Sequence, residues 1–239
     1  MLTDVQARLP GGRRRVDERF DDFFDPREAA IVSIDMVRSH LDHPVDCPCP
    51  AGERGIASIQ PTNAFHSQAR ELGIPIIHTR STLRRGTPDD PRYDRATWRR
   101  ILEWSGEANA LLDEHVVENT RWVEFVTEVD DRDLVVQKKR LSGFAATDLD
   151  FLLRNLRKRT VVITGIFMDA CDLSTAYAAA DLDYKVITVA DVVRGSTDAM
   201  EKAALDIFSS YIGLVLESDE LVGEWRARLK TEQTARSAA

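Results

Sequence analysis

Three residues of different chemistry stand at the ends of short apolar runs. Asp35 follows Ile31-Val32-Ser33-Ile34, Lys138 follows Leu134-Val135-Val136-Gln137, and Cys171 lies a few residues beyond Thr160-Val161-Val162-Ile163. An acid, an amine and a thiol together suit nucleophilic attack on a carbonyl. The thiol attacks only as thiolate, and an unperturbed cysteine titrates at about 8.5. A neighbouring carboxylate can take its proton, and a neighbouring ammonium favours both the carboxylate and the thiolate.

The elements that must position these side chains can be read from the same runs. Short β-branched stretches suit strands buried on both faces of a parallel sheet. Gly165 breaks the third run, and residues 172–180 then read as a helix, so Cys171 falls in a first helical turn just past a strand end. Unpaired N–H groups and the helix dipole favour a thiolate there. Strands are expected at about 29–35, 74–79, 134–137, 160–164, 185–189 and 212–216. Helices are expected at about 57–72, 147–157, 170–182, 198–210 and 219–230. Gly73 serves as a C-cap of the first. Six strands alternating with helices make a parallel α/β sheet covered on both faces. The carboxyl ends of its strands lie along one edge, where open α/β sheets bind ligands. Residues 81–133 hold no strand, with short helices suggested by Trp98, Ile101 and Leu102 and by Leu111-Leu112. A connection that long reads as a lid or binding loop.

The pieces Ile31-Val32-Ser33-Ile34-Asp35-Met36, Lys138-Lys139-Arg140-Leu141-Ser142-Gly143-Phe144 with Thr147-Asp148-Leu149, and Thr164-Gly165-Ile166 through Cys171 carry a resemblance. In order and spacing, from about Ala29 to about Glu224, the chain resembles the cysteine hydrolases of the isochorismatase-like superfamily. The resemblance implies a catalytic triad of Asp35, Lys138 and Cys171. It implies a non-proline cis peptide at Ile166–Phe167 and an oxyanion hole from the backbone N–H groups of Phe167 and Cys171. It also implies a single-domain three-layer αβα fold with strand order 3-2-1-4-5-6, which sets Asp35 and Cys171 on either side of the reversal in winding. Lys139 is a rival for the amine, since a strand one residue longer would turn Lys138 the other way. The family spacing, lysine-x-arginine-x-x-x-phenylalanine, favours Lys138 with Arg140 and Phe144. There are departures. Metal-dependent nicotinamidases of this superfamily carry Asp-x-His after the second strand, where this chain reads His78-Thr79-Arg80-Ser81-Thr82. Asp172 stands where a small apolar residue is common; facing the site it would oppose a thiolate, and facing outward it would favour the helix start.

Composition bounds the rest. The chain of 239 residues shows no linker or repeat, so residues 29–230 read as one hydrolase domain, between an N-terminal arm (1–28) and a mobile C-terminal tail (231–239). Phe20, Phe23 and Phe24 would dock the arm on a neighbouring subunit, so a dimer or larger homo-oligomer is expected. A net charge of −8 argues against nucleic acid as a partner. No apolar run approaches the ~20 residues of a membrane span. Three cysteines cannot all pair, which fits a reduced cytoplasmic setting. The loop bearing His40, His43, Asp46, Cys47 and Cys49 lacks a usual zinc spacing. It is read as site lining with His40 toward substrate, and neither metal nor cofactor is expected. Arg80, Trp98, Trp104, Arg140 and Phe144 are candidates for the pocket wall. The expected activity is cysteine-dependent hydrolysis of a small amide, carbamoyl or related C–N bond. The alternatives are a vinyl-ether hydrolase working through acid chemistry and a non-catalytic binding protein. Substitutions in the triad are expected to leave the protein folded, as changes at a site mouth.

Overall fold

Six β-branched segments pair side by side. A computed structural model describes residues 2, 4–42, 47–88, 90, 97–105 and 110–237. Within it, β3 (Ala29–Ile34), β4 (Ile76–Ser81), β5 (Leu134–Lys138), β6 (Thr160–Ile166), β7 (Lys185–Arg194) and β8 (Leu214–Leu216) form one sheet in the order β5-β4-β3-β6-β7-β8. Every pairing is parallel. Counted along the chain, this is the expected order 3-2-1-4-5-6. The two central strands, β3 and β6, are buried at every residue, which is why their sequences run apolar without alternation.

The period of two divides these strands between two cores. Ile31, Ile76 and Val162 pack with Phe65 of α3 (Ile59–Glu71) and Trp225 of α8 (Ser218–Ser237). Val32, Ile34, Ile77 and Ile163 pack with Leu153 of α5 (Leu149–Asn155), Ala176 and Ala179 of α6 (Leu173–Asp181) and Phe208 of α7 (Asp198–Tyr211). Each such aliphatic side chain, fully buried, contributes about 1.5–3 kcal/mol. Gly165 lets the central strands close at the site end. It has φ +124°, and a Cβ there would lie 2.1 Å from the Ile34 carbonyl oxygen. Asp35, the next residue, itself takes φ +50°, turning the chain out of β3.

Three segments differ from the sequence expectation. The N-terminal arm folds onto its own chain. β1 (Gln6–Leu9) and β2 (Gly12–Arg15) form a hairpin, and Val5, Ala7, Val16 and Phe24 join the Trp225 core. Phe20 and Phe23 are half-buried against that core, so the aromatic cluster is covered without a second subunit. α8 continues to Ser237 instead of stopping near 230. No Gly or Pro interrupts 231–237, and Glu232 pairs with Arg27 at 3.2 Å. β7 runs five residues past the expected end at 189, through a register shift opposite Ile163 and Gly165.

The connections at the carboxyl edge carry short elements: α1 (Arg38–Leu41) and α2 (Gly52–Ala57) after β3, and α4 (Thr97–Ser105) between β4 and β5. No helix among the described residues is long and apolar enough to cross a membrane.

Candidate active site

Asp35 follows β3 directly, Lys138 ends β5, and Cys171 sits in a single π-helical turn, Met168–Asp172, that joins β6 to α6. The Ile166–Phe167 peptide leading into that turn is cis. Lys138 is two strands from Asp35, and its long side chain bridges the gap over the end of β4. Its Nζ lies 2.7 Å from Asp35 Oδ2, 2.8 Å from Ser81 Oγ, 3.1 Å from the Arg140 carbonyl and 3.3 Å from Cys171 Sγ. An ammonium has three protons, shared here among four acceptors, Cys171 Sγ included. The Cys171 sulfur thus meets both partners of the ion pair: it accepts from Lys138 Nζ, and its interaction with Asp35 lowers the carboxyl and raises the thiol. Ser81 completes the frame. Its backbone N–H donates to Asp35 Oδ1 at 2.7 Å, and its hydroxyl lies 3.4 Å from Oδ2.

The electrostatics follow from burial. Asp35 and Lys138 are wholly buried, and Cys171 is 8% exposed. Burial raises the Asp35 carboxyl, but the Lys138 charge, with His40, more than offsets it and holds Asp35 below the usual carboxylate range. Burial alone would lower Lys138, yet Asp35 and then Cys171 raise it above an ordinary lysine. Burial pushes the Cys171 thiol well up, Lys138 opposes this, and Asp35 adds to it. The resting arrangement is thus carboxylate, ammonium and thiol. The shift runs against the expectation that the helix start favours a thiolate, and with the expectation that Asp35 takes the proton of a thiol. The turn holding Cys171 is π-helical, and burial is the largest cause that raises the thiol.

Asp172 lies inward, not outward. It is 0% exposed, and neither carboxylate oxygen has a hydrogen-bond partner among the described residues. Burial raises its pKa well above normal, Asp35 adds to that, and Lys138 opposes it. Its neighbouring carboxyl adds to the rise of the Cys171 thiol.

His40, in α1, is 5% exposed, and its Nδ1 is 2.8 Å from the Cys49 carbonyl. Its ring meets the Phe167 ring edge-on, centroids 5.1 Å apart.

The sequence profile of the isochorismatase domain matches residues 29–220, most of the chain and all of this site. The chain belongs to the isochorismatase family. It is 27% identical over 208 residues to a ureidoacrylate amidohydrolase of Pseudomonas savastanoi pv. phaseolicola, covering 82% of each chain. It is 23% identical over 217 residues to an N-carbamoylsarcosine amidase of Arthrobacter sp., covering 81% of this chain and 75% of that one. An isochorismatase-like hydrolase from Alkaliphilus metalliredigens superposes with a TM-score of 0.68 at 27% identity, over 83% of this chain and 99% of that one.

Around this site the remaining candidates scatter. Lys139 points away from Lys138, as period two requires, with Nζ on the Thr82 carbonyl and, at 3.0 Å, on its hydroxyl. Arg80 is displaced for the same reason. Its neighbour Ser81 faces Asp35, so Arg80 turns to the far side, donating to the Val123 carbonyl at 2.9 Å and covering the Phe125 ring. Arg140 is exposed and donates to the Lys139 carbonyl; only its own backbone carbonyl touches the site. Phe144 stacks on Tyr184 at 5.9 Å, in the α5 and α6 core. Trp104 is 85% exposed. The side chain of Trp98, and all of His43 and Asp46, lie outside the described residues.

Two residues near the site escaped the sequence reading. Ser81 was missed because the expected strand stopped at Thr79, whereas β4 runs on to Ser81. His115 carried no signal; it comes from the long connection and lies beside His40, ring centroids 5.0 Å apart. The ligand atoms of His40, Cys49 and His115 fall within 4.8 Å of one another. They fit a metal cation poorly. The buried Arg99 guanidinium lies 3.2 Å from His115 Nδ1. A guanidinium can only donate, which leaves the proton of a neutral ring on Nε2 and a positive charge beside the cluster. No step below is routed through a metal.

Proposed function

We propose that this protein hydrolyses a small amide, carbamoyl or related C–N bond through a thioester on Cys171. The observation that carries the reading is the convergence of acid, amine and thiol. Lys138 Nζ lies 2.7 Å from Asp35 Oδ2 and donates to Cys171 Sγ at 3.3 Å, and Asp35 is held ionised beside them. The named activities of the amidohydrolase and amidase relatives agree with C–N bond cleavage.

The proposed steps use these groups in turn. Asp35 takes the Cys171 proton as Sγ bonds to the substrate carbonyl carbon. The carbonyl oxygen gains the negative charge and is met by the N–H groups of Phe167 and Cys171. The tetrahedral species collapses, the C–N bond breaks, and Asp35 returns the proton to the leaving amine. A water then gives a proton to Asp35 and attacks the thioester. The C–S bond breaks, and the thiol recovers the proton from Asp35. Lys138 stays protonated throughout and holds the site's charge balance.

Three free thiols suit a reducing, cytoplasmic setting. Self-association belongs to the same reading, though the covered N-terminal arm does not supply its surface.

The test is ammonia release from a panel of small amides and ureas, with rapid acid quench and intact-protein mass measurement. An acyl mass on the peptide holding Cys171 is expected. Turnover with no adduct, and with unchanged rate after Cys171 is alkylated, would overturn the reading.

A further inference from the structure

The turn that carries Cys171 has a choice of hydrogen-bond register. The Phe167 carbonyl accepts from the Ala170 N–H at 2.9 Å and from the Asp172 N–H at 3.1 Å, and passes over the Cys171 N–H between them. A bond from five residues on is π-helical, whereas an α-helical turn bonds from four residues on, which is Cys171. The register therefore decides the use of one N–H. In the π form the Cys171 N–H is left for the oxyanion of the mechanism above. A slip of one residue hands it to the Phe167 carbonyl. The turn runs straight into α6, and the α-helical pattern is the commoner one, so the π form needs a tether.

Asp169, in the middle of the turn, supplies it. Its Oδ1 accepts from the Ser196 N–H at 2.7 Å, and its Oδ2 accepts from the Ser196 hydroxyl at 2.6 Å. Two bonds from one residue fix the direction of the carboxylate, and hydrogen bonds to an ionised acceptor are roughly twice as strong as neutral ones. Ser196 is anchored on both sides. Gly195 donates its N–H to Glu201 Oε2 at 3.0 Å, and a Cβ on it would meet the Glu201 backbone at 2.7 Å. Thr197 caps α7, its hydroxyl accepting from the Met200 N–H at 3.2 Å. Arg54 of α2 braces the same helix start, pairing with Glu201 at 3.1 Å and with Asp198. Lys138 and the thiol have partners of their own, so Asp169 reaches them only through the turn.

We propose that Asp169 is a positioning residue: through Ser196 it holds the Met168–Asp172 turn in its π-helical register and so keeps the Cys171 N–H free to meet the oxyanion. The effect on rate rests on the thioester reading, and the effect on the turn does not.

Two reagents and one structure test it. p-Nitrophenyl acetate acylates a thiol through a tetrahedral oxyanion and releases p-nitrophenolate. Methyl methanethiosulfonate takes the same sulfur with no carbonyl in the step. In Asp169→Ala, acylation of Cys171 is expected to fall about a hundredfold, the loss typical of one oxyanion donor, while the thiosulfonate rate is unchanged. Ser196→Ala, which keeps only the backbone bond, is expected to fall in between. Asp169→Asn is expected to stay near wild type, since its Oδ1 can accept from the Ser196 N–H and its amide can donate to the Ser196 hydroxyl. In a crystal structure of Asp169→Ala, the Cys171 N–H is expected on the Phe167 carbonyl. Acylation at the wild-type rate, or two rates that fall together, overturns the proposal and leaves the thioester reading standing. If the thiosulfonate labels Cys171 of the wild-type protein and the ester does not, the thioester reading fails and the crystal structure decides. A slipped turn then supports the proposal, and a turn unchanged from wild type overturns it in either case.

Discussion

The ion pair beneath the thiol makes a stability prediction that burial alone dictates. Asp35 and Lys138 are both 0% exposed and 2.7 Å apart. At an effective dielectric constant of about 20, two unit charges at that distance attract by about 6 kcal/mol, most of which offsets the cost of removing both from water. Asp35→Asn removes the attraction and leaves the buried ammonium unpaired, so a loss of about 3–5 kcal/mol is expected. The amide can still accept from the Ser81 N–H, so the backbone frame is spared. This reverses the expectation that triad substitutions leave the fold untouched, because only Cys171 opens toward the mouth. Urea unfolding at pH 7 measures the loss, and Asp35→Asn/Lys138→Met is expected to recover much of it. The pH dependence has a definite sign. The folded Asp35 pKa is depressed, so its contribution is fully present above the unfolded value of about 3.9 and is lost as pH falls through the folded value. The Asn variant should lack that acid-side loss. A destabilisation below about 1 kcal/mol, or a double variant no better than the single, would refute the charged buried pair.

Other consequences are as direct. Asp172→Asn should raise stability at pH 7 and flatten its pH dependence: the folded pKa is raised, so stability falls as pH climbs above the unfolded value of about 3.9 toward the folded one, and the amide removes that slope; urea midpoints at pH 4 and pH 8 check it. Alkylation of Cys171 by iodoacetamide should be slow at pH 7 and still climb past pH 8.5, since burial and Asp35 keep the thiol protonated; a plateau below pH 7 would mean a standing thiolate. Prolonged dialysis against a chelator should leave activity unchanged, and activity lost and then restored by zinc would assign a metal to His40, Cys49 and His115.

The frame of the site was legible because its determinants are local. Asp35, Lys138 and Cys171 each follow a β-branched run, and parallel strands must align their ends. What failed depends on contacts distant in sequence. Nothing near Arg80 shows that Ser81 will bind Asp35 and thereby turn Arg80 away. Phe144 reads as pocket lining by position, but the connection into α5 drops it onto Tyr184. His115 reaches His40 only through the fold of the long connection, which has no strand period to follow. The N-terminal arm misled for a related reason: its aromatic spacing shows that a face must be covered, and only the fold shows that Trp225 and its neighbours cover it.

The central claim is that carbon–nitrogen cleavage goes through the Cys171 sulfur. The most direct measurement is the turnover rate of Cys171→Ala against wild type on whichever amide or urea the panel identifies. The side chain is small and reaches the mouth, so the variant should fold. The account predicts a loss of at least about a thousandfold, because no other described thiol touches the Asp35 and Lys138 pair. A variant that keeps most of the wild-type rate, while Asp35→Asn held folded at low temperature has none, would contradict the thioester and leave acid chemistry by Asp35 as the mechanism.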